Sequence, residues 1–463
     1  MGIARKNIDF TEGKLSPKII SFVIPLILTS TLQTLYHIAD KMVVGMLSGD
    51  TLALAAVGSS TAICNLVINL LVSFSAGCSV VTANARGARD SERISRSVHT
   101  SMTFAAIASV AVMLIGLLIT RPALTLLGTK PELFSRASTY VYIIFLGVPA
   151  TTVYNFGASA MRALGDTKTS LRILSVSGII NVVLNVIFVA FFGMAVAGVA
   201  LATIISQYVS AVWVVVIMMR DKGEEYHLQR EKLGIDFPLL REMIRFGVPT
   251  MIQSSMFTIS NVFLSGAVNT LTTEEISAKT ITFSMTELIS TAMAAYTHAA
   301  VTSTAQNCGA RKTDRIKSSL VCCIWQSALI GISMAAVILL LREPLTMLFI
   351  DRNDPNMDIV VQYTKEALWT ITPSYFLLGT MNSLAGAMRG AGYALVPMII
   401  SIGGVCGLRI IWIYTAFRTE ALHSLSGLLV SYPITYVITI LSFVIAFVIM
   451  MKKIGSREPA SVK

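Results

Sequence analysis

Three charged side chains sit where a charge is expensive. Asp40 follows a run with no Asp, Glu, Lys or Arg from Ile19 to Ala39, Glu287 interrupts Thr280–Ala310, and Arg409 interrupts Gly390–Phe417. Each run is long enough to cross a bilayer, whose hydrocarbon core takes about 20 apolar residues. An ionisable group at that depth is a functional site by default. A carboxylate there can meet the cost by taking a proton or by binding a cation, and exchange between the two as access changes is the elementary step of ion coupling. A negative group facing a cavity also attracts cationic substrates, and competition between substrate and ion would give antiport.

The element that positions Asp40 is the first helix. Gln33, Tyr36, His37 and Asp40 recur at three- and four-residue spacing, one polar stripe on an otherwise apolar cylinder. Lipid cannot satisfy such a stripe, so it faces protein or water. The structural alternative is a hydrogen-bond cluster that ties helices together, and His37 reads as a supporting residue rather than a ligand. Asp40 lies roughly 10 Å beyond the middle of its run at 1.5 Å per residue, and Glu287 lies near the middle of its own. Pro25 removes a backbone donor in the same helix and permits a kink. Arg409 can neutralise Glu287, so Glu287 stands open between a coupling role and a structural pair.

Composition sets the class. The 463 residues are 54% hydrophobic and 13% charged, against about 25% charged in soluble domains, and the mean hydropathy is +0.72. This predicts an all-α integral membrane protein. Charge-free runs mark twelve transmembrane helices, counting Ile173–Met219 as two helices split near Gly193. Six fall on each side of the polar stretch Arg220–Arg245. The expected organisation is an N-terminal lobe over residues 1–219, a linker over 220–241, and a C-terminal lobe over 242–463.

Lys and Arg in alternate loops number 26 on one side and 9 on the other, with Arg409 inside a span. That bias places both termini in the cytoplasm and makes the net charge of +11 a topological signal. No basic stretch is interleaved with aromatics, so no nucleic-acid partner is expected. Six cysteines in or beside apolar runs, without CxxC or His pairing, read as packing residues.

The halves repeat. VTANARGARDSERISR (Val81–Arg96) and STAQNCGARKTDRIKS (Ser303–Ser318) share A-[NQ]-x-x-G-A-R-x-x-[DE]-R-I, displaced by 222 residues. ASAMRALG (Ala158–Gly165) pairs with AGAMRGAG (Ala385–Gly392). Six helices separate the copies, so they share one topology, the parallel-repeat class of secondary transporter. No GxxxxGK[ST], HExxH or GxSxG occurs. The chain is therefore not read as an enzyme, and any pumping would draw on an ion gradient.

Together with the repeats, YHIADKMVVGML in helix 1, AMRALGDTK after helix 4, NVVLN in helix 5 and QNCGA after helix 8 resemble the multidrug and toxic compound extrusion (MATE) family, in particular its DinF-like and related bacterial branches. The resemblance covers essentially the whole chain. It implies two pseudo-symmetric six-helix lobes that export cationic drugs or metabolites from the cell (inner) membrane in exchange for protons or sodium, as a monomer with no further cofactor. It also implies a coupling-ion site. The family's helix 1 Asp matches Asp40, the first residue of its N-x-x-x-D pair matches Asn181, and its helix 6 Thr matches Thr203. The second member of the pair is here Asn185, a carboxamide in place of a carboxylate. One charge is lost, which favours proton coupling through Asp40 and leaves sodium, held by Asp40 and neutral oxygens, as the alternative. The acids that some members carry in helices 7 and 10 are missing, while Glu287 resembles an acid seen in helix 8 of some relatives. The remaining candidates for substrate or second-lobe coupling are Gln33, Tyr36, His37, Glu287 and Arg409. A flippase for lipid-linked oligosaccharide or lipid, from a related superfamily, is the competing reading. It would line its cavity with several Arg, and this chain has Arg409 alone within a span.

Overall fold

The computed structural model describes residues 7–47, 51–126, 128–350 and 355–456, and every regular element among them is helical. Six long helices build the N-terminal half: α1 (Leu15–Leu47), α2 (Thr51–Gly87), α3 (Ser91–Leu126), α4 (Pro131–Ala163), α5 (Lys168–Val186, continued by a π turn at Ile187–Phe191) and α6 (Ala195–Arg220). Six follow in the C-terminal half. They are α7 (Phe237–Val268), α8 (Thr273–Gly309), α9 (Thr313–Leu340), α10 (Met357–Ile371, then Thr372–Ser374 and Tyr375–Gly390), α11 (Leu395–Ser401, a π turn at Ile402–Gly407, then Leu408–Tyr414) and α12 (Ser431–Gly455). Nine of the helices among the described residues are long and apolar enough to cross a membrane.

Local chemistry sets the boundaries. α4 starts on Pro131, whose missing N–H is no loss in a first turn. α8 opens with a capping box in which Thr272 Oγ1 accepts the Glu275 N–H at 3.3 Å and Glu275 Oε2 accepts the Thr272 N–H at 3.2 Å. Glu275 then takes the Leu425 N–H on its other oxygen at 2.8 Å. Gly193, with φ +63°, lies in the break between α5 and α6 where the apolar run was divided.

The sequence repeat is also a repeat of backbone geometry. Arg89 and Arg311, 222 residues apart, are the two non-glycine residues with positive φ among those described, each at 56°. Each closes its helix with the same bonds. Asp90 N–H reaches Ala85 O at 3.1 Å in the first copy, and Lys312 N–H reaches Asn307 O at 2.9 Å in the second. Gly165 and Gly392, in the second pair of motifs, both have φ +88°.

Packing divides the chain into two units, Met1–Asp9 with Ile24–Met251 and Phe10–Val23 with Ile252–Lys463. These units are cut by contact, whereas the expected boundaries were cut by chain order. Phe10–Val23 and Arg220–Met251 therefore group differently from residues 1–219 and 242–463. Hydrogen bonds account for both shifts. In the second unit, Gln306 Oε1 accepts the Phe10 N–H at 3.0 Å, Arg315 donates to Phe10 O at 3.0 Å, and Lys312 donates to Thr11 O at 2.8 Å. In the first unit, the polar stretch after α6 lies on α2 and α3. Arg86 pairs with Glu225, Arg93 with Glu242 at 2.9 Å, and Arg96 with Asp236. His99, 2% exposed, accepts the Gln229 N–H on Nε2 at 2.9 Å, with its Nδ1 2.7 Å from Ser95 O. That pair of bonds suits a neutral ring protonated at Nδ1.

The core of the first unit is aliphatic where α3, α4 and α6 meet, around Leu124, Val141, Phe145, Val148 and Ile204. Nearby, Phe74, Phe104 and Phe156 stack with centroids 5.0 to 6.3 Å apart. Against this apolar background a polar pocket stands out.

Candidate ion-coupling site

In the first unit α1, α5 and α6 enclose a cavity of about 110 Å³ lined by Gln33, Tyr36, Asp40, Ser177, Asn181, Thr203, Ser206, Gln207 and Ser210, with Leu174 and Gly178. Four-residue spacing on α5 puts Ser177, Asn181 and Asn185 on one face, and α6 contributes Thr203, Ser206, Gln207 and Ser210 at three- and four-residue spacing. Close approach of α1 to α5 depends on Gly178, because a Cβ there would fall on the Tyr36 ring. Tyr36 in turn donates its hydroxyl to Ser175 O at 3.3 Å.

Beside Asp40, Asn185, fully buried, donates its amide to Asp40 Oδ1 and stands 3.3 Å from Asn181 Oδ1. Asn181 Nδ2 is 3.5 Å from Thr203 Oγ1. The Thr203 hydroxyl has two acceptors within reach, the Val199 carbonyl at 2.9 Å and the Asp40 carboxylate. One polar atom stays unmatched: Asn185 Oδ1 is buried with no hydrogen-bond partner. That oxygen is free to accept from a proton donor or to ligate a cation.

The structure thus brings together Asp40, Asn181, Asn185 and Thr203, with Gln33 and Tyr36 on the same cavity. The side chain of His37 lies outside those described. Sequence reasoning passed over Ser177, Ser206, Gln207 and Ser210, although the spacing on α6 marked a polar stripe. Three of these are serines that bond back to their own helix, Ser177 to Leu174 O, Ser206 to Thr203 O and Ser210 to Ser206 O, at 2.8 to 3.3 Å. With their protons so engaged they offer only lone pairs to the cavity, a lining suited to cations.

Glu287 and Arg409 belong to the second unit. Glu287 is exposed on α8, and Arg409 is buried. Among the described residues no ion pair joins them. The Arg409 guanidinium instead stacks on Tyr432, with Cζ 3.9 Å from the ring centroid. Neutralisation of Glu287 by Arg409 is accordingly not what the structure displays. An aromatic face takes the cation where a carboxylate was considered.

Comparison with known proteins decides the family. The MatE family model matches twice, over residues 25–187 and again over 249–415. The chain belongs to the MatE family. The double match falls on the two halves that the repeat motifs define. Among curated relatives of this MatE protein, the probable multidrug resistance protein YoeA of Bacillus subtilis (strain 168) is 27% identical, covering 91% of this chain and 90% of its own. Probable multidrug resistance protein YpnP from the same organism is 25% identical, covering 86% and 87%. Among solved structures, a MATE crystallised in complex with MaL6 aligns with a TM-score of 0.88 at 20% identity, covering 98% of this chain and 99% of that one. The twelve-helix, two-lobe MATE architecture is the fold of this MatE chain.

Proposed function

We propose that the protein is a secondary antiporter that exports cationic small molecules in exchange for protons, with sodium as the alternative coupling ion. It works as a monomer in the cell membrane with both termini in the cytoplasm. The observation that carries the reading is the contact between Asp40 and Asn185, with Asn185 Oδ1 left buried and unpartnered. The multidrug-resistance names of the relatives support drug-like cargo.

The chemistry follows from groups that can reverse their hydrogen bonds. With Asp40 ionised, Asn185 and Thr203 both act as donors to it, which holds the charge in an apolar helix. With Asp40 protonated, its O–H needs an acceptor. Rotation of the Asn185 amide by half a turn presents Oδ1, and the Thr203 hydroxyl then donates to the Val199 carbonyl alone. The same rotation offers oxygens from Asp40, Asn185, Asn181 and Thr203 to a sodium ion. Each state thus has a matched hydrogen-bond pattern. Loading Asp40 removes the negative charge that attracts a cationic substrate into the cavity, and that exclusion is the antiport step.

The test is efflux of a fluorescent cationic dye from proteoliposomes under imposed pH or sodium gradients. A pH gradient should drive efflux by the wild type, and Asp40→Asn should abolish it at unchanged expression. Wild-type efflux by that variant would remove Asp40 from the mechanism, and efflux driven by sodium alone would reassign the ion. A flippase for lipid-linked substrates would move no soluble dye under either gradient.

A further inference from the structure

The second unit holds a buried cation that the coupling site does not use. Arg409 is 5% exposed and lies two residues beyond the π turn of α11. Tyr432 of α12 forms the floor beneath its guanidinium, and the Tyr436 hydroxyl, one turn further along, reaches it as a hydrogen-bond partner. Tyr432 is itself held between Phe283 and Tyr436, with centroids at 5.9 and 6.1 Å. Stacking satisfies the face of a guanidinium, but its N–H donors lie in the plane.

Two of those in-plane donors, Nε and Nη2, are buried with no hydrogen-bond partner. They are the two nitrogens of one edge, the edge that a carboxylate or phosphate grips with two parallel bonds. Unmatched charged donors in apolar surroundings are costly, and intramembrane arginines pair with acceptors as a rule. Glu287 is exposed on α8, and no ion pair brings it to Arg409 among the described residues. The repeat sharpens the point. Carrying the displacement between ASAMRALG and AGAMRGAG into the next helix sets Arg409 opposite Val182, one residue from Asn181. The level of the helix that in the first unit serves an acid-centred site holds, in the second, a base.

We propose that the Nε–Nη2 edge of Arg409, floored by Tyr432, is an anion-binding site that takes a carboxylate-like group, carried by an organic substrate or present as a small free anion. The substrates it favours are then zwitterions, with a cationic body and an anionic arm. This site is separate from Asp40, and its occupancy is read by binding rather than by transport.

The experiment uses the purified full-length chain in detergent and two dyes with one cationic ring system, rhodamine 110, a carboxylic acid, and rhodamine 123, its methyl ester. Binding is followed by fluorescence anisotropy. The wild type should bind the acid about tenfold more tightly than the ester, the size expected of one charge-assisted bidentate contact. Arg409→Gln should bring the two within about twofold of each other by weakening the acid alone. Retained ester binding reports that the variant is folded. Should Arg409→Gln fail to fold, Arg409→Lys, which keeps the charge but not the fork, and Tyr432→Leu, which removes the floor, should each narrow the ratio. Addition of acetate, a small free carboxylate, supplies the second arm. Weakening of acid binding by acetate in the wild type and not in the variant, at matched ionic strength, marks a site open to free anions as well. Tight acid binding that acetate leaves untouched marks one reserved for the substrate's arm. An acid-to-ester ratio and an acetate response that are both the same with and without Arg409 overturn the proposal.

Discussion

Replacing Asn185 with Asp puts a second carboxylate where the buried amide now touches Asp40. Asn185 is fully buried, so the new charge has protein rather than bulk water around it. Two unit charges about 4 Å apart interact by about 4 kcal/mol at an effective dielectric of about 20. A sodium ion seated between Asp40 and the new carboxylate gains that attraction, less the cost of displacing the proton that two neighbouring carboxylates otherwise share. Water in the cavity screens part of it, and halving the figure leaves about 2 kcal/mol. At about 1.4 kcal/mol per tenfold, sodium affinity should rise between about thirtyfold and about a thousandfold. The assay is dye efflux from proteoliposomes against sodium concentration at constant pH, paired with thermal stability in sodium and in choline. The variant should reach half-maximal sodium dependence at far lower concentration, and sodium should raise its melting temperature, because a ligand that binds only the folded state stabilises it. A half-saturating sodium concentration within threefold of wild type, with no added thermal protection, would refute the placement of an ion between these two side chains.

Other expectations follow from single contacts. Gly178→Ala should destabilise the chain by about 1–3 kcal/mol through overlap with the Tyr36 ring. The same substitution made in a Tyr36→Ala background should cost close to nothing, and a cost that persists there would show that the ring is not the obstacle. Asp236 caps α7 by accepting the Leu239 N–H at 3.1 Å, so Asp236→Ala should cost about 1 kcal/mol near neutral pH. The Leu239 N–H first, and then the Arg96 guanidinium, hold the Asp236 carboxyl below the usual carboxylate range. Its contribution is therefore complete above a pH of about 4 and fades as pH falls further, so the melting curves of wild type and variant should converge in acid. Glu287→Gln should lower efflux of cationic dyes several-fold and leave the dependence on the ion gradient intact, whereas wild-type rates would remove Glu287 from the substrate path.

Much of this architecture was legible because lipid imposes a one-dimensional code. A helix in hydrocarbon must be apolar along its length, so charge-free runs located all twelve helices and Gly193 located the split between α5 and α6. The ends were less legible. α7 begins at Phe237 although its apolar run begins at Phe246, because a capped and ion-paired helix continues in water as readily as in lipid. In α10 the run Ala367–Met388 did not disclose the helix from Met357 or its interruption at Thr372–Ser374, where Pro373 denies a backbone donor. The stripe on α1 gave Asp40 directly. Gly178 could not be read the same way, because a glycine beneath a tyrosine leaves no periodic signal. Arg409 was weighed against Glu287 because charge is visible in sequence and distance is not. Its neighbour on α12 is a tyrosine whose approach depends on how α11 turns.

That turning is common to both buried polar centres. Asn185 stands two residues before the π turn of α5, and Arg409 two residues after the π turn of α11. A π turn inserts one residue into a helix and keeps every N–H bonded one step further back, as Phe192 N–H does to Ile187 O at 3.3 Å and Leu408 N–H does to Gly403 O. Lipid forbids an unsatisfied backbone group but tolerates a change of register. A proline in the same place would remove a donor outright, and a glycine break would expose carbonyls. The inserted residue instead rotates the side chains on one side of it relative to the other, which re-aims a single polar group without unwinding the span. π turns concentrate at functional sites for this reason. In the first unit the device lies next to the amide that meets Asp40. In the second it lies next to the guanidinium whose buried Nε–Nη2 edge has no acceptor. Sequence alone gives weak notice of either, since IFVAF carries no turn residue and the glycines of IGGVCG read equally well as helix packing.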